Sequence, residues 1–544
     1  MSAVAQEQAV PAQVMQAQVL IVGAGPVGVT LGNLLGTYGI STLLIERNLD
    51  VLDYPRAVGI DDEALRTFQS AGMADAIVRD VIQNVPMRMY TADRRCFAEI
   101  QPTTREFGWY RRNLFSQPLG EATLRLGLRR FDHVSLRSGV ELLDLVQDEQ
   151  GVQASIIDEH GAQATLRAHY VVGCDGGRST VREKILKLPY EGKTHPAKWV
   201  VIECDGDPLD APYTALHCEP QRPYVCLALP YGVRRWEFML FPGEDGEQML
   251  APEKVRELLR EHVRDVDALN IIRARVYTHN SRVAGSLVCG RICLAGDAAH
   301  ITPPWIGQGL NAGLRDAFNL AWKLAWVLQG RMKPELLASY HEERHAHVKA
   351  MIDLADLFGA VLSQKNRLLA WCRDKFFLAI KDIPRVRDYV LQMKFKPMPS
   401  FSSQAVMQDD ARNRSDLVGR MFLQSLVENG AGEVMRLDDL CGGRFVLLSW
   451  RCDVLAAAEP GLRSRMQAFG CDYLQGVRSR SGPRGQVLAG SGVVVQDYEN
   501  KLNAWFKEKG VDWVLLRPDR FIAAAGRAGD APEVVARYLD QVAV

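Results

Sequence analysis

Net charge is the first thing this chain lacks. Across 544 residues, 65 lysines and arginines balance 65 aspartates and glutamates, so nothing favours a nucleic-acid partner or a polybasic membrane anchor. Paired cysteines are lacking too: eleven cysteines run from Cys96 to Cys471 without one CxxC. An odd count in a chain long enough to bury a real core needs no disulfide framework, and the thiols read as reduced, cytoplasmic and mostly buried. Cys289 and Cys293 alternate with apolar residues along a strand pattern and have no further ligands, so no metal is expected there. A membrane span is also lacking. Residues 8–45 carry no charge, long enough for a span of about 20 residues. Yet no Lys or Arg precedes them as a signal peptide requires, and glycines from Gly23 to Gly39 punctuate the second half as a turn motif. With 47% hydrophobic and 24% charged residues, the composition excludes global disorder. At roughly 150 residues per domain the length implies about three domains.

After a loose tail over residues 1–16, Gln18 to Gly23 (QVLIVG) reads as a buried parallel strand. GAGPVG turns it into the helix pattern VTLGNLLGTYG, and STLLIER makes a second buried strand ending at Glu46 and Arg47. That is one complete βαβ unit. Asp61 to Gly72 reads as a helix with Gly72 as its stop. AHYVVG (168–173) is another buried strand. Residues 195–284 alternate, as in YVCLALP and RRWEFMLF, and predict an antiparallel sheet with one covered face. RICLAGDAAH returns to the buried-strand style and leads into a helix. KFKPMPSFSSQ reads as a linker, and the chain from about 413 onward as a separate α/β domain with strands FVLLSW, GQVLAG and DWVLLRPD.

Gly23, Gly25 and Gly28 stand where a strand must turn sharply into a helix. Backbone can then approach a pyrophosphate, whose charge meets free N–H groups at the helix start. Glu46, eighteen residues beyond Gly28, ends the next strand where a ribose hydroxyl would be held. A glycine-rich turn that binds nothing is the alternative; the flanking strand, helix and acid favour a dinucleotide.

Two further motifs, CDGGRSTVR (174–182) and GDAAHITPPWIGQGLN (296–311), stand in order behind the first. With all three, residues 18–400 resemble the FAD-dependent aromatic hydroxylases of the p-hydroxybenzoate and phenol hydroxylase superfamily. The resemblance implies an α/β (α+β multidomain) fold: a Rossmann-like FAD-binding domain from residues 17–85, 117–190 and 285–400, an antiparallel-sheet substrate domain from 86–116 and 191–284, and a thioredoxin-like C-terminal domain over 413–544. It implies that Gly296 and Asp297 hold the ribityl or pyrophosphate region, that Pro303 and Pro304 line the reacting face of the flavin, and that Gly307, Gln308, Gly309, Leu310 and Asn311 offer backbone N–H groups to its ring. Anionic reduced flavin suits such helix-start amides. Arg47, Arg56 (in PRA) and Gln117 (in FSQP) would be further FAD contacts. Asp175 and Arg178 would serve both FAD and the nicotinamide cofactor, although Asp175 also reads as a turn aspartate beside Gly176.

No second glycine fingerprint follows a strand, which fits NADH docking transiently, as in this class. Segments such as YPRAVGIDDEALRTFQSAG, RPYVCLALPYGVRRWEFM and RVYTHNSR are similar to the branch that degrades phenylpropanoids. That similarity implies ortho-hydroxylation of a phenol with a short acidic side chain to a catechol, using NADH and O2 through a C4a-hydroperoxyflavin. It also suggests a homodimer. The same chemistry on another phenol (a resorcinol, plain phenol or polyketide) and a non-catalytic FAD-fold scaffold are the rival readings. In the C-terminal domain Cys441, Cys452 and Cys471 do not form a thioredoxin redox motif, so the domain reads as structural.

Two tasks remain for the protein. For phenol activation the candidates are Tyr277 and His279, on one face of RVYTHNSR, with a base near neutrality in view; a buried pair satisfied by backbone partners is the alternative. For the substrate carboxylate they are Arg222, Arg234, Arg235, Arg275 and Arg282, each also able to be a structural ion pair. HEERH (341–345) matches the HExxH zinc pattern, but no third ligand is positioned and no metal is expected. The Asn413-Arg414-Ser415 sequon has no role in a cytoplasmic protein.

Overall fold

The computed structural model describes residues 15–407, 416–478 and 493–544. The tail up to residue 14, the Asn413 sequon and the GQVLAG segment lie outside the described residues. The first sheet has eight strands around a parallel core. Met15–Val22 lies between Thr42–Glu46 and Gln163–Gly173, with Ile21 facing Leu44 on one side and Val172 on the other. Val134–Ser138 and Ile292–Leu294 extend the parallel set at the two sides. Val19, Ile21, Leu44 and Val172 are wholly buried, as strands covered on both faces must be. The helix Pro26–Thr37 starts with proline in its first turn, where the missing N–H costs nothing.

The second sheet also has eight strands and is antiparallel apart from the pairing of Thr214–His217 with Met87–Tyr90. Its long strands Tyr190–Asp205 and Asn270–Ala284 pair along most of their length. One face packs Val200, Ile202, Trp236 and Phe238 against Val255 and Leu259 of the helix Pro252–Leu259. The opposite face turns toward the first sheet and carries Trp199, Val201, Tyr277 and His279. The helices Arg367–Ile380 and Pro384–Leu391 pack on the edge strand Cys96–Ile100, through Phe97, Phe377 and Val390. Their chain order places them with the FAD-binding part; their apolar faces place them against the second sheet.

The third sheet belongs to the C-terminal region. Phe445–Trp450, Cys471–Arg478 and Val493–Asp497 are parallel, and Trp513–Leu516 and Ile522–Gly526 continue antiparallel, the mixed order of a thioredoxin-like unit. Cys441, Cys452 and Cys471 are all free thiols. Trp322 and Trp326, on the helix Gly309–Leu328, meet Phe445 at ring-centroid distances of 5.4 and 5.7 Å, so the first and third sheets share one core. The segment read as a linker is a strap anchored by the buried residues Lys396, Pro399, Phe401 and Ser403. Lys396 pairs with Asp61 and Glu63, Phe401 stacks on Phe521 at 4.2 Å, and Ser403 donates to Glu343. Among the described residues no helix is long and apolar enough to cross a membrane.

Candidate active site

Two cavities meet where the first sheet faces the second. The larger, of about 380 Å³, runs from the glycine turn to the second sheet. The smaller, of about 150 Å³, is walled by Gly23, Glu46, Arg47, Asp175 and Arg178. Gly25, Arg56, Cys174 and Gly176 line both, which makes one trough.

At the narrow end, a Cβ on Gly28 would sit 2.0 Å from the Gly23 carbonyl oxygen, so the turn admits no side chain there. A Cβ on Gly25 would meet nothing within 4 Å; it would instead project into the trough at the start of a helix, where a pyrophosphate needs bare backbone. Glu46 steadies this turn by accepting from Ala24 N at 2.9 Å, and from Asn48 through its other oxygen. Asp175 accepts from Ser179 Oγ and from Val181 N at 3.1 Å, so it does build a turn, with Gly176 at φ +79°, while remaining on the wall.

At the wide end, Pro303, Pro304 and Gly307 to Asn311 line the larger cavity. Gly307 adopts φ +63° and releases the chain into the helix Gly309–Leu328, whose first-turn N–H groups have no intrahelical acceptors. Asn311 is spent on holding this turn: its Nδ2 donates to Gly307 O at 2.7 Å and its Oδ1 accepts from Asp61 N at 3.1 Å. Gln117 does similar work, accepting from Arg56 N and from Ala57 N at 2.7 Å. Asp297 lines the cavity, while its backbone oxygen accepts from Tyr190 OH at 2.7 Å. A trough with a bare glycine crossing, the acids Glu46 and Asp297 on its walls and a helix start at its mouth fits FAD, which Gly25, Glu46, Asp297 and residues 307–311 would hold.

Tyr277 and His279 line the same cavity from the second sheet. His279 stacks on Trp199 at 5.4 Å and meets Trp305 edge-on at 6.0 Å. Neither polar group hydrogen-bonds to another described residue. Burial lowers the His279 pKa to about 4 and raises that of Tyr277. His279 is therefore a neutral imidazole at physiological pH, and the expectation of a base poised near neutrality is corrected: aromatic walls on two sides desolvate the cation.

The arginine candidates for the carboxylate are mostly engaged elsewhere. Arg222 pairs with Glu244, Arg234 with Asp207, Arg275 stacks on Tyr54, and Arg282 donates to Tyr190 O and Thr194 Oγ1; none of these four lines the cavity. Arg235 does, but Glu237 at 2.8 Å and Glu203 at 3.3 Å already neutralise it. Arg111 and Arg112 stand on the wall instead. Sequence reasoning passed over both, because EFGWYRRN matched a family without hinting at burial. It also passed over Asp316, fully buried, which accepts from Gly296 N at 3.0 Å and pairs with His300 and Arg344; its place about two turns into the helix Gly309–Leu328 was the available signal. In HEERH, His341 accepts from Leu287 N at 3.2 Å and Glu343 is buried in a different network, so the segment is occupied structurally.

Comparison with known proteins gives the family. The FAD binding domain family matches residues 16–355, and the HcaD C-terminal domain family matches residues 419–541. The chain belongs to the FAD-dependent aromatic hydroxylases. Within that class it is similar to curated 3-(3-hydroxy-phenyl)propionate/3-hydroxycinnamic acid hydroxylases. Identity is 50% to that of Burkholderia vietnamiensis, covering 96% of this chain and 95% of the relative, and 40% to that of Comamonas testosteroni, covering 97% and 96%. Among solved structures, the flavin-dependent monooxygenase PieE in complex with FAD and substrate matches with a TM-score of 0.76 at 25% identity, over 97% of this chain and 99% of that one. A ternary complex of aklavinone-11 hydroxylase with FAD and aklavinone shares the fold, with a TM-score of 0.77 at 24% identity, over 97% and 100%.

Proposed function

We propose that the protein uses NADH and O2 to convert 3-(3-hydroxyphenyl)propionate into 3-(2,3-dihydroxyphenyl)propionate. In balance, phenol, NADH, a proton and O2 give catechol, NAD⁺ and water. The carrying observation is one cavity wall that joins the N–H groups of residues 309–311 to Tyr277 and His279; the names of the relatives supply the acid. FAD, when bound, supplies hydride acceptance and oxygen activation. The chain's own work is to orient the phenol, exclude water and hold its proton.

His279 sits at about 4 against about 10 for a phenol, too wide a gap for it to take the proton in the ground state. It accepts a hydrogen bond from the phenol O–H through a ring nitrogen, which pushes electron density into the ring. It then stands ready for the proton once attack on oxygen makes that hydroxyl acidic. Tyr277, held protonated, donates to the phenol oxygen and fixes which ring edge faces the flavin. Trp199, Trp305 and the proline pair keep water out of the reacting space.

The test is NADH oxidation by FAD-loaded protein with and without 3-(3-hydroxyphenyl)propionate, with the aromatic product identified by mass spectrometry and NMR. Strong stimulation with a 2,3-dihydroxyphenyl product is expected. Stimulation without hydroxylation would reduce the acid to an effector, and no response at all would sink the reading.

A further inference from the structure

We infer that Arg112 is the subsite for the substrate's carboxylate, gripping it from the cavity wall while the aromatic ring lies along the apolar residues beside it. The identity of the acid rests on the proposed function; the position of the cation rests on this chain alone.

Arg112 is half-buried on the cavity wall, and desolvation alone pushes its guanidinium down to about 10, with no acid acting to raise it. Of its five donors, Nε gives one good hydrogen bond, to Val85 O at 3.1 Å. Nη1 faces the Met87 thioether at 3.7 Å and Nη2 faces Thr214 Oγ1 at 3.4 Å, both long. It forms no ion pair with any described Asp or Glu. The buried arginines behave differently: Arg66 pairs with Asp438, Arg234 with Asp207, Arg315 with Glu63 and Arg517 with Glu343. A guanidinium partly withdrawn from water without a counter-charge is costly, and the cavity is the side from which a counter-charge can arrive. Met87, Leu114, Leu216 and Leu227 line the same cavity with an apolar face suited to a ring and its methylenes. Its neighbour Arg111 is partly engaged, donating to Gln392 O at 2.8 Å with Asp62 3.9 Å away. A carboxylate seated on Arg112 would gain charge-assisted, two-pronged hydrogen bonds in a site shielded from water.

Binding separates this inference from the catalytic one. The probes are 3-phenylpropionate, which lacks the hydroxyl and cannot turn over, and the uncharged 3-phenylpropanol, each titrated into FAD-loaded protein by calorimetry. In Arg112→Met, affinity for the acid is expected to fall on the order of 30-fold or more, while the alcohol changes little. Arg112→Lys keeps a point charge but loses the fork; an acid affinity roughly tenfold below wild type is expected, with FAD still bound. Equal acid affinity in wild type and Arg112→Met overturns the inference, as does a parallel loss of acid and alcohol, which would mark Arg112 as structural. Should Arg112→Met lose its FAD, wild-type acid affinity in Arg112→Lys overturns it in the same way. Acid binding through Arg112 without hydroxylation of the 3-hydroxy acid would defeat the proposed function and leave this subsite standing.

Discussion

Four buried or half-buried histidines carry a pH dependence, one residue at a time. His279 between its tryptophans, the stacked His217, and His262 are all lowered to about 4 by burial, and His347 to about 3. In the unfolded chain each returns to about 6.5. Between pH 6.5 and 4 the unfolded state therefore binds protons that the native state refuses, so stability falls as pH falls, by about 1.4 kcal/mol per pH unit for each fully titrating histidine. Asp62, raised to about 7 by burial beside Asp61 and Glu63, acts in the opposite sense over the same window, and the smaller upward shifts of Glu121, Asp175, Glu219 and Asp497 add to it toward the acid end. The melting temperature should drop between pH 7 and pH 5, and His279→Gln should flatten that slope; a melting temperature indifferent to pH would refute the burial account. At this scale the sequence was legible where backbone geometry dictates residue type. Gly25, Gly28 and Gly307 stand where the structure needs them, and Tyr277 and His279 fall on one wall as strand alternation requires. Arg112 was not legible, because its character comes from a partner it lacks, and no sequence pattern records a missing neighbour.

The helix Ala338–Leu362 holds the molecule together at one buried carboxylate. Glu343, wholly buried, accepts from Arg517 at 2.6 Å, Ser403 at 2.6 Å, Asn319 at 2.6 Å and Lys323 at 3.0 Å. These groups come from the C-terminal sheet region, the strap and the helix Gly309–Leu328. Glu343→Gln removes the charge and leaves Lys323 and Arg517 with Asp519 as the acid nearby, a loss expected to cost roughly 3–5 kcal/mol. Chemical denaturation of the FAD-loaded variant would check it; a midpoint equal to wild type would mean the network is neutral to stability. The same cluster explains why KFKPMPSFSSQ read as a linker. Its prolines and serines are loop-like locally, whereas its burial is decided by Asp61, Glu63 and Glu343, residues remote in sequence. The elements with their own periodicity, the first βαβ unit and the alternating second sheet, needed no such distant information.

For the whole molecule, the C-terminal unit is not an appendage that can be cut away. Trp322, Trp326, Phe445, Phe469 and Tyr538 belong to the same core as the parallel sheet, and Trp326 Nε1 donates to Phe469 O at 2.8 Å. Removing residues 416–544 would expose that aromatic surface, so the truncated chain should be insoluble or fail to retain FAD; a soluble yellow product would show the units to be independent. Three domains follow from length alone, but their shared core does not, since the aromatic residues that make it lie more than a hundred positions apart. That union has a mechanical meaning. The helix Gly309–Leu328 has 20 residues and is about 30 Å long; it starts at the turn lining the larger cavity and ends wedged in the C-terminal core. It is a lever with its reacting tip at one end and its ballast at the other. A tilt of about one degree about the far end displaces the tip by about 0.5 Å, a sizeable part of the error that positioning chemistry tolerates. On the proposed function, the distant unit would set the angular tolerance of the hydroxylation without touching any reacting atom.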